Sequence, residues 1–181
     1  MSNSQITGII YSKFHVKLGP VAVAWMPLNL PIDKDMVSMK SINLIIGERE
    51  IIPKSLSIVS FPSINMRGLV KSLGINNKHE RGDRIDGTIT LLFDNDSDTS
   101  VFYKYINEFE KIFDDIATKI ANLEEYEGHN PKQIKKELEI FHTDILNIVN
   151  ELTEGSAILP LEDLFHFENN QIKEVKEDGE K

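Results

Sequence analysis

The chain reads as an α+β protein: a five-stranded, mostly antiparallel sheet with one helix on one face and two on the other. Three observations predict this. Segments rich in β-branched and aromatic residues open the chain and recur in its middle, the types that fit a pleated, half-buried surface. One helical stretch separates the first two strands from the next three. Two long segments with apolar residues at steps of three and four follow the last strand.

Residues 6–26 organise the rest. Ile6, Ile9, Ile10, Tyr11, Phe14 and Val16 form a run that is apolar on both parities, as in a strand buried on both faces. Leu18-Gly19-Pro20 breaks it, and Val21, Val23, Trp25 and Met26 resume extended character up to Pro27. This hairpin is expected in the middle of the sheet. Residues 29–46 predict the first helix, with Pro31 and Asp33 near its start and Gly47 as its C-cap. A strand over 51–61 is bounded by Pro53 and Pro62. A short strand over 66–73 follows, plain or bulged at Gly68. After a polar loop over 74–84, residues 85–93 give the clearest strand, where Ile89, Leu91 and Phe93 alternate with Thr88, Thr90 and Leu92.

The Asp94–Asp98 cluster ends that strand and supplies N-cap candidates. Over 101–126, Phe102, Ile106, Phe109, Phe113, Ile116, Ile120 and Leu123 predict one long helix. Gly128-His129-Asn130-Pro131 breaks it, with Asn130 able to cap and Pro131 suited to a first helical position. The next helix runs to about Thr153, with Ile134, Leu138, Phe141, Ile145, Ile148 and Leu152 on one stripe. The two helices are expected to lie antiparallel on one face of the sheet. The chain thus divides into a domain over 1–153, an apolar segment over 154–168 and a charged tail over 169–181 that is expected to be disordered.

Composition narrows the function. With 181 residues, 40% hydrophobic and 27% charged, the chain is an ordinary globular domain. A net charge of −9 speaks against nucleic acid and against simple attraction to an anionic membrane, unless a local basic patch overrides the total. There is no cysteine, so disulfides, thiolate metal sites and a cysteine nucleophile are excluded. No signal sequence, myristoylation site or apolar run of about 18 residues is present, so a cytoplasmic protein without stable membrane insertion is expected.

No phosphate-binding glycine loop, nucleophile elbow or HExxH occurs, and the five histidines (15, 79, 129, 142, 166) have no zinc-type spacing. Asp114-Asp115 reads as a solvated helix face. Neither enzymatic activity, a cofactor nor a bound metal is expected.

The element order and the hairpin YSKFHVKLGPVAVAWMP at 11–27 resemble the longin fold, a profilin-like architecture. The hairpin in particular is similar to the opening of the longin domains in nitrogen permease regulator-like proteins: a strand with an aromatic residue, a Leu-Gly-Pro turn, and a second strand ending near a proline. The resemblance covers roughly residues 5–153. It implies a non-enzymatic interaction scaffold in trafficking or GTPase regulation, binding a small Ras-like GTPase or pairing with another longin or roadblock domain, itself included. Contact with membranes would then be peripheral and through a partner. Some such proteins carry a catalytic arginine in the loop before the final strand. The equivalent loop here holds Lys78, His79, Arg81 and Arg84, making Arg81 and Arg84 candidate arginine fingers. The Tyr-x-Arg-Asn context of that family is absent, so the likeness is to the loop alone. Lys78, Arg81 and Arg84 are candidate partner contacts, as are Ile158, Leu161, Leu164 and Phe165 in an apolar segment that either folds back or docks on a partner. A small-ligand sensor, needing a pocket between sheet and helices, is a further alternative.

Overall fold

The computed structural model describes residues 6–46, 53–76, 84–97, 100–126 and 130–156. The elements run β1 (Ile6–His15), β2 (Gly19–Met26), α1 (Lys34–Ile46), β3 (Ser57–Phe61), a 3-10 turn (Pro62–Ile64), β4 (Met66–Asn76), β5 (Arg84–Asp94), α2 (Ser100–Lys104), α3 (Ile106–Tyr126) and α4 (Pro131–Ser156). The architecture is α+β, with one open five-stranded sheet in the order β2-β1-β5-β4-β3. Every neighbouring pair is antiparallel.

The hairpin is not central. β2 is an edge strand, and β5 takes the middle because both β1 and β4 pair along nearly its whole length. β1 is buried on both faces as its composition requires, with Ile9, Ile10 and Tyr11 all fully inaccessible. Alternation along the strands sorts the core into two layers. Ile10, Val70 and Leu92 pack with Leu30 and with Val37 of α1 on one face. Ile9, Leu69, Ile89, Leu91 and Phe93 pack under α2, α3 and α4 on the other.

Several element boundaries differ from the sequence expectation. α1 begins at Lys34 rather than at 29, because the Asp33 carboxylate caps it, accepting the Met36 N–H at 3.1 Å. β3 begins at Ser57 rather than at 51; just ahead of it the Leu56 N–H donates to the Glu110 carboxylate at 3.1 Å rather than to a strand. β4 runs on to Asn76, with unbroken register past Gly68 and so no bulge there. Gly68 answers to space, since a Cβ would lie 3.0 Å from both Phe61 and Thr90. The irregularities fall instead in the hairpin strands: Val23 of β2 is the extra residue opposite Tyr11/Ser12, and Thr7 of β1 is the extra residue against β5.

The single helix over 101–126 is two helices. The Tyr105 carbonyl accepts from both Glu108 N and Phe109 N, starting α3 afresh. Phe102 of α2 meanwhile stacks on Phe93 of β5 with centroids 4.7 Å apart, and Phe109 tilts against Phe102 at 5.3 Å. Asn130 caps α4, its side chain accepting the Gln133 N–H at 3.2 Å, and Pro131 is the first helical residue. α4 extends to Ser156, so the domain boundary expected at 153 falls within a helix. Phe113 of α3 meets Phe141 of α4 edge-on at 5.1 Å. With only four residues joining the helices, that contact requires them to run antiparallel.

Candidate functional site

β2 has no strand on its outer side among the described residues. Its edge therefore presents unpaired backbone groups, the usual template for strand addition, interrupted at Pro20, which has no N–H, and at Ala22, whose N–H is taken. α1 packs beside it and is pinned from below by hydroxyls: Ser38 to Ser12 at 2.7 Å and Ser41 to Thr90 at 3.0 Å, all four buried. The Asp35 carboxylate reaches out to the Ala22 N–H of β2 at 3.4 Å. Met39, one turn further on, therefore lies on the flank of α1 that looks toward β2, and it is exposed.

Exposed apolar side chains gather here. Of eight large ones among the described residues, Phe14, Val16, Leu18, Leu28 and Met39 lie in the β1–β2 hairpin, just after it, or on the adjoining flank of α1. Trp25 is half-buried nearby; its indole N–H donates to the Leu28 carbonyl at 3.2 Å, and the Lys34 ammonium sits 5.2 Å from its ring centre. Charge is segregated as well, since none of the 29 Asp and Glu residues precedes Asp33.

Of the basic residues singled out in the sequence, Arg84 is described. It is the first residue of β5, opposite Asn76, and so belongs to the ladder rather than to the loop. Its guanidinium lies across Gly74, where a Cβ would come within 2.2 Å of Nε, and Nε is 3.3 Å from Asp86 Oδ1, an ion-pair distance without hydrogen-bond alignment. Lys78, His79 and Arg81 lie outside the described residues, as do Ile158, Leu161, Leu164 and Phe165 and the tail over 169–181.

Asp114 and Asp115 part company. Asp115 is bridged to Lys119 one turn on at 2.7 Å, and Asp114 is ion-paired with Lys71 of β4. The Lys71 side chain is 7% exposed and its ammonium also donates to the Lys54 carbonyl. A second charge cluster, more deeply buried, joins β1 to the end of α3. Lys13 Nζ lies 2.9 and 3.2 Å from the two Glu124 carboxylate oxygens, and the Tyr11 hydroxyl donates to the same group at 3.0 Å. Burial, then the neighbouring Glu124 charge and its hydrogen bond, push the Tyr11 hydroxyl well above its ordinary pKa of 10.0. Both clusters tie α3 to the sheet; Lys71 and Glu124 are buried in them, whereas the Asp114 side chain is 62% exposed.

A cavity of about 210 Å³ lies between α1, β3 and β4, lined by Ser41, Leu44, Pro53, Ser57, Val59, Val70 and Ser72. The Thr88 hydroxyl, beside Ser72 in the ladder, is fully buried with no hydrogen-bond partner among the described residues. No group of three or more His, Asp and Glu side chains among the described residues is placed to hold a metal. None of their helices is long and apolar enough to cross a membrane.

The sequence marked the hairpin as central but not its open edge, because pairing partners are a property of the whole sheet. Two signals were nonetheless present: the acid-free stretch before Asp33, and a first helix with more apolar residues than one buried stripe can hold. No protein-family model matches this sequence, and no curated protein matches it at significant similarity.

Proposed function

We propose that this chain is a longin-type interaction domain, a non-enzymatic scaffold that binds a small Ras-like GTPase, or pairs with another longin or roadblock domain, along the outer edge of β2 and the neighbouring flank of α1. The observation that carries the reading is the open β2 edge bordered by exposed Met39 and Leu28 and by no acidic residue within the hairpin. An edge of this kind supplies main-chain hydrogen bonds for an added strand, and the apolar side chains beside it supply specificity. The five-stranded antiparallel sheet with helices on both faces is compatible with a profilin-like fold, which supports the longin reading. A role in trafficking or GTPase regulation follows from that reading.

Pull-down against small GTPases loaded with GDP or a GTP analogue, with hydrolysis followed in parallel, tests the proposal. Nucleotide-selective binding at an unchanged hydrolysis rate is the expected result. Hydrolysis that is accelerated, and lost in Arg81→Ala, would replace the scaffold with an activator. Arg84 is less suited to that role, being held in the ladder beside Asp86.

The cavity under α1 favours a second reading, a small-ligand sensor. Three serine hydroxyls and an apolar wall fit a small neutral molecule with few polar groups. A thermal-shift screen with Ser72→Val as the control variant separates it from the first: a ligand that stabilises the wild type and not the variant would favour the sensor.

A further inference from the structure

The β1–β2 turn carries features that strand addition along β2 does not use. The last ladder pair is His15 with Gly19, so Val16, Lys17 and Leu18 project beyond the sheet. Val16 is 63% exposed and Leu18 73%, with Phe14 exposed just inside the ladder. Gly19 takes φ +77°, closing the turn tightly. His15 Nδ1 accepts the N–H groups of Lys17 at 3.2 Å and Leu18 at 3.3 Å, so the tip is held in shape while its apolar side chains face solvent.

Its electrostatics run against the rest of the chain. Lys13 is neutralised by Glu124, and Arg84 at the same end of the sheet stands beside Asp86. Lys17 has no carboxylate within ion-pair distance among the described residues, in a protein of net charge −9. A convex apolar tip with an uncompensated cation needs no complementary groove. It suits the headgroup boundary of an anionic bilayer, where apolar side chains enter the acyl region and a lysine stays among lipid phosphates.

From this geometry we infer that the tip formed by Phe14, Val16, Lys17 and Leu18 docks the domain directly on the interfacial region of anionic membranes, leaving the β2 edge and α1 flank open to a protein partner. The contact is weak and reversible, and it is screened by salt.

The test is co-sedimentation of the full chain with vesicles of phosphatidylcholine containing about 30% phosphatidylserine, against phosphatidylcholine alone. Binding to the anionic vesicles is expected, with a loss of about tenfold or more in V16D/L18D. Both positions are exposed, so the double variant should keep its fold, checked by an unchanged melting curve. Because the chain has no native cysteine, a polarity-sensitive dye on Leu18→Cys reports insertion directly. Its emission should shift to the blue on anionic vesicles, while the same dye on Ser63→Cys, exposed after β3 at the far end of the sheet, should not move. Absence of anionic binding, equal binding by V16D/L18D, or a shift at both dye positions would overturn the proposal. So would vesicle-independent loss of GTPase capture in V16D/L18D, which would make the tip a protein contact instead.

Discussion

The Lys13–Glu124–Tyr11 cluster makes a sharp claim about what fastens α3 to the sheet. The Glu124 side chain is 4% exposed and that of Lys13 15%, while Tyr11 is fully buried. Glu124→Leu removes the carboxylate that faces the Lys13 ammonium and takes away the acceptor of the Tyr11 hydroxyl. An unmet buried hydroxyl costs about 1–3 kcal/mol, and breaking a buried pair about 3–5 kcal/mol. Lys13 can reach toward water, so the single variant should lose about 3 kcal/mol. Lys13→Met leaves Glu124 with Tyr11 as a donor and should cost about 2 kcal/mol. Their sum is about 5 kcal/mol, yet K13M/E124L removes both charges together and leaves the tyrosine hydroxyl unmet. Its cost should be about 2 kcal/mol, a coupling of about 3 kcal/mol. Adding Tyr11→Phe should return the triple variant to within about 1 kcal/mol of wild type. Urea unfolding followed by Trp25 fluorescence and far-UV circular dichroism measures each corner of the cycle. Additive single costs, with the double variant near 5 kcal/mol down, would refute the view that the three groups act as one buried unit.

Tyr11 keeps its proton in the fold above the pH at which an unfolded tyrosine loses it, so the unfolded state binds fewer protons there and stability should fall as pH rises through about 10; Tyr11→Phe should flatten that slope in denaturant titrations. His142 has its pKa lowered from 6.5 by burial, so the unfolded state binds more protons below that value and stability should fall as pH drops through it, a loss that His142→Gln should blunt. Phe113→Ala removes a buried ring and its edge-on contact with Phe141, and should cost about 3–5 kcal/mol by chemical denaturation. Gly8→Ala sets a methyl 2.6 Å from Leu30 Cδ1 and 2.7 Å from the Met26 carbonyl, and should lower the melting temperature by an overpacking cost of about 1–3 kcal/mol.

Much of the fold was legible because burial leaves a periodic trace. Ile89, Leu91 and Phe93 face α3 and α4 while Thr88, Thr90 and Leu92 face α1, as their alternation required. The stripes of α3 and α4 and the Asn130-Pro131 start were legible, except that Val149 and not the expected Ile148 enters the core of α4. Strand order could not, since nothing local in Gly19–Met26 states that its outer side lacks a neighbour. The break at Tyr105 was equally hidden: the apolar rhythm runs straight through it, while in the fold Phe102 of α2 stacks on Phe93 of β5 and α3 starts afresh. Lys71 left a fainter sign. It occupies the parity of Leu69 and Leu73 that faces the larger core layer, a charge where an apolar residue belongs, and it holds that place by pairing with Asp114. Of the candidate contacts, Arg84 moved from loop to strand, while the apolar edge beside β2 emerged only when distant segments were placed together.

The interaction reading stands or falls on the open flank of the sheet. The most direct measurement compares wild type with Met39→Asp in nucleotide-loaded GTPase pull-downs and in light scattering of the purified chain. Met39 is exposed, so a charge there should leave the melting curve unchanged. The account predicts that the wild type captures a GTPase or forms a defined dimer and that Met39→Asp loses it. Capture and dimerisation undiminished in the variant, or absent from the wild type in every nucleotide state, would contradict it.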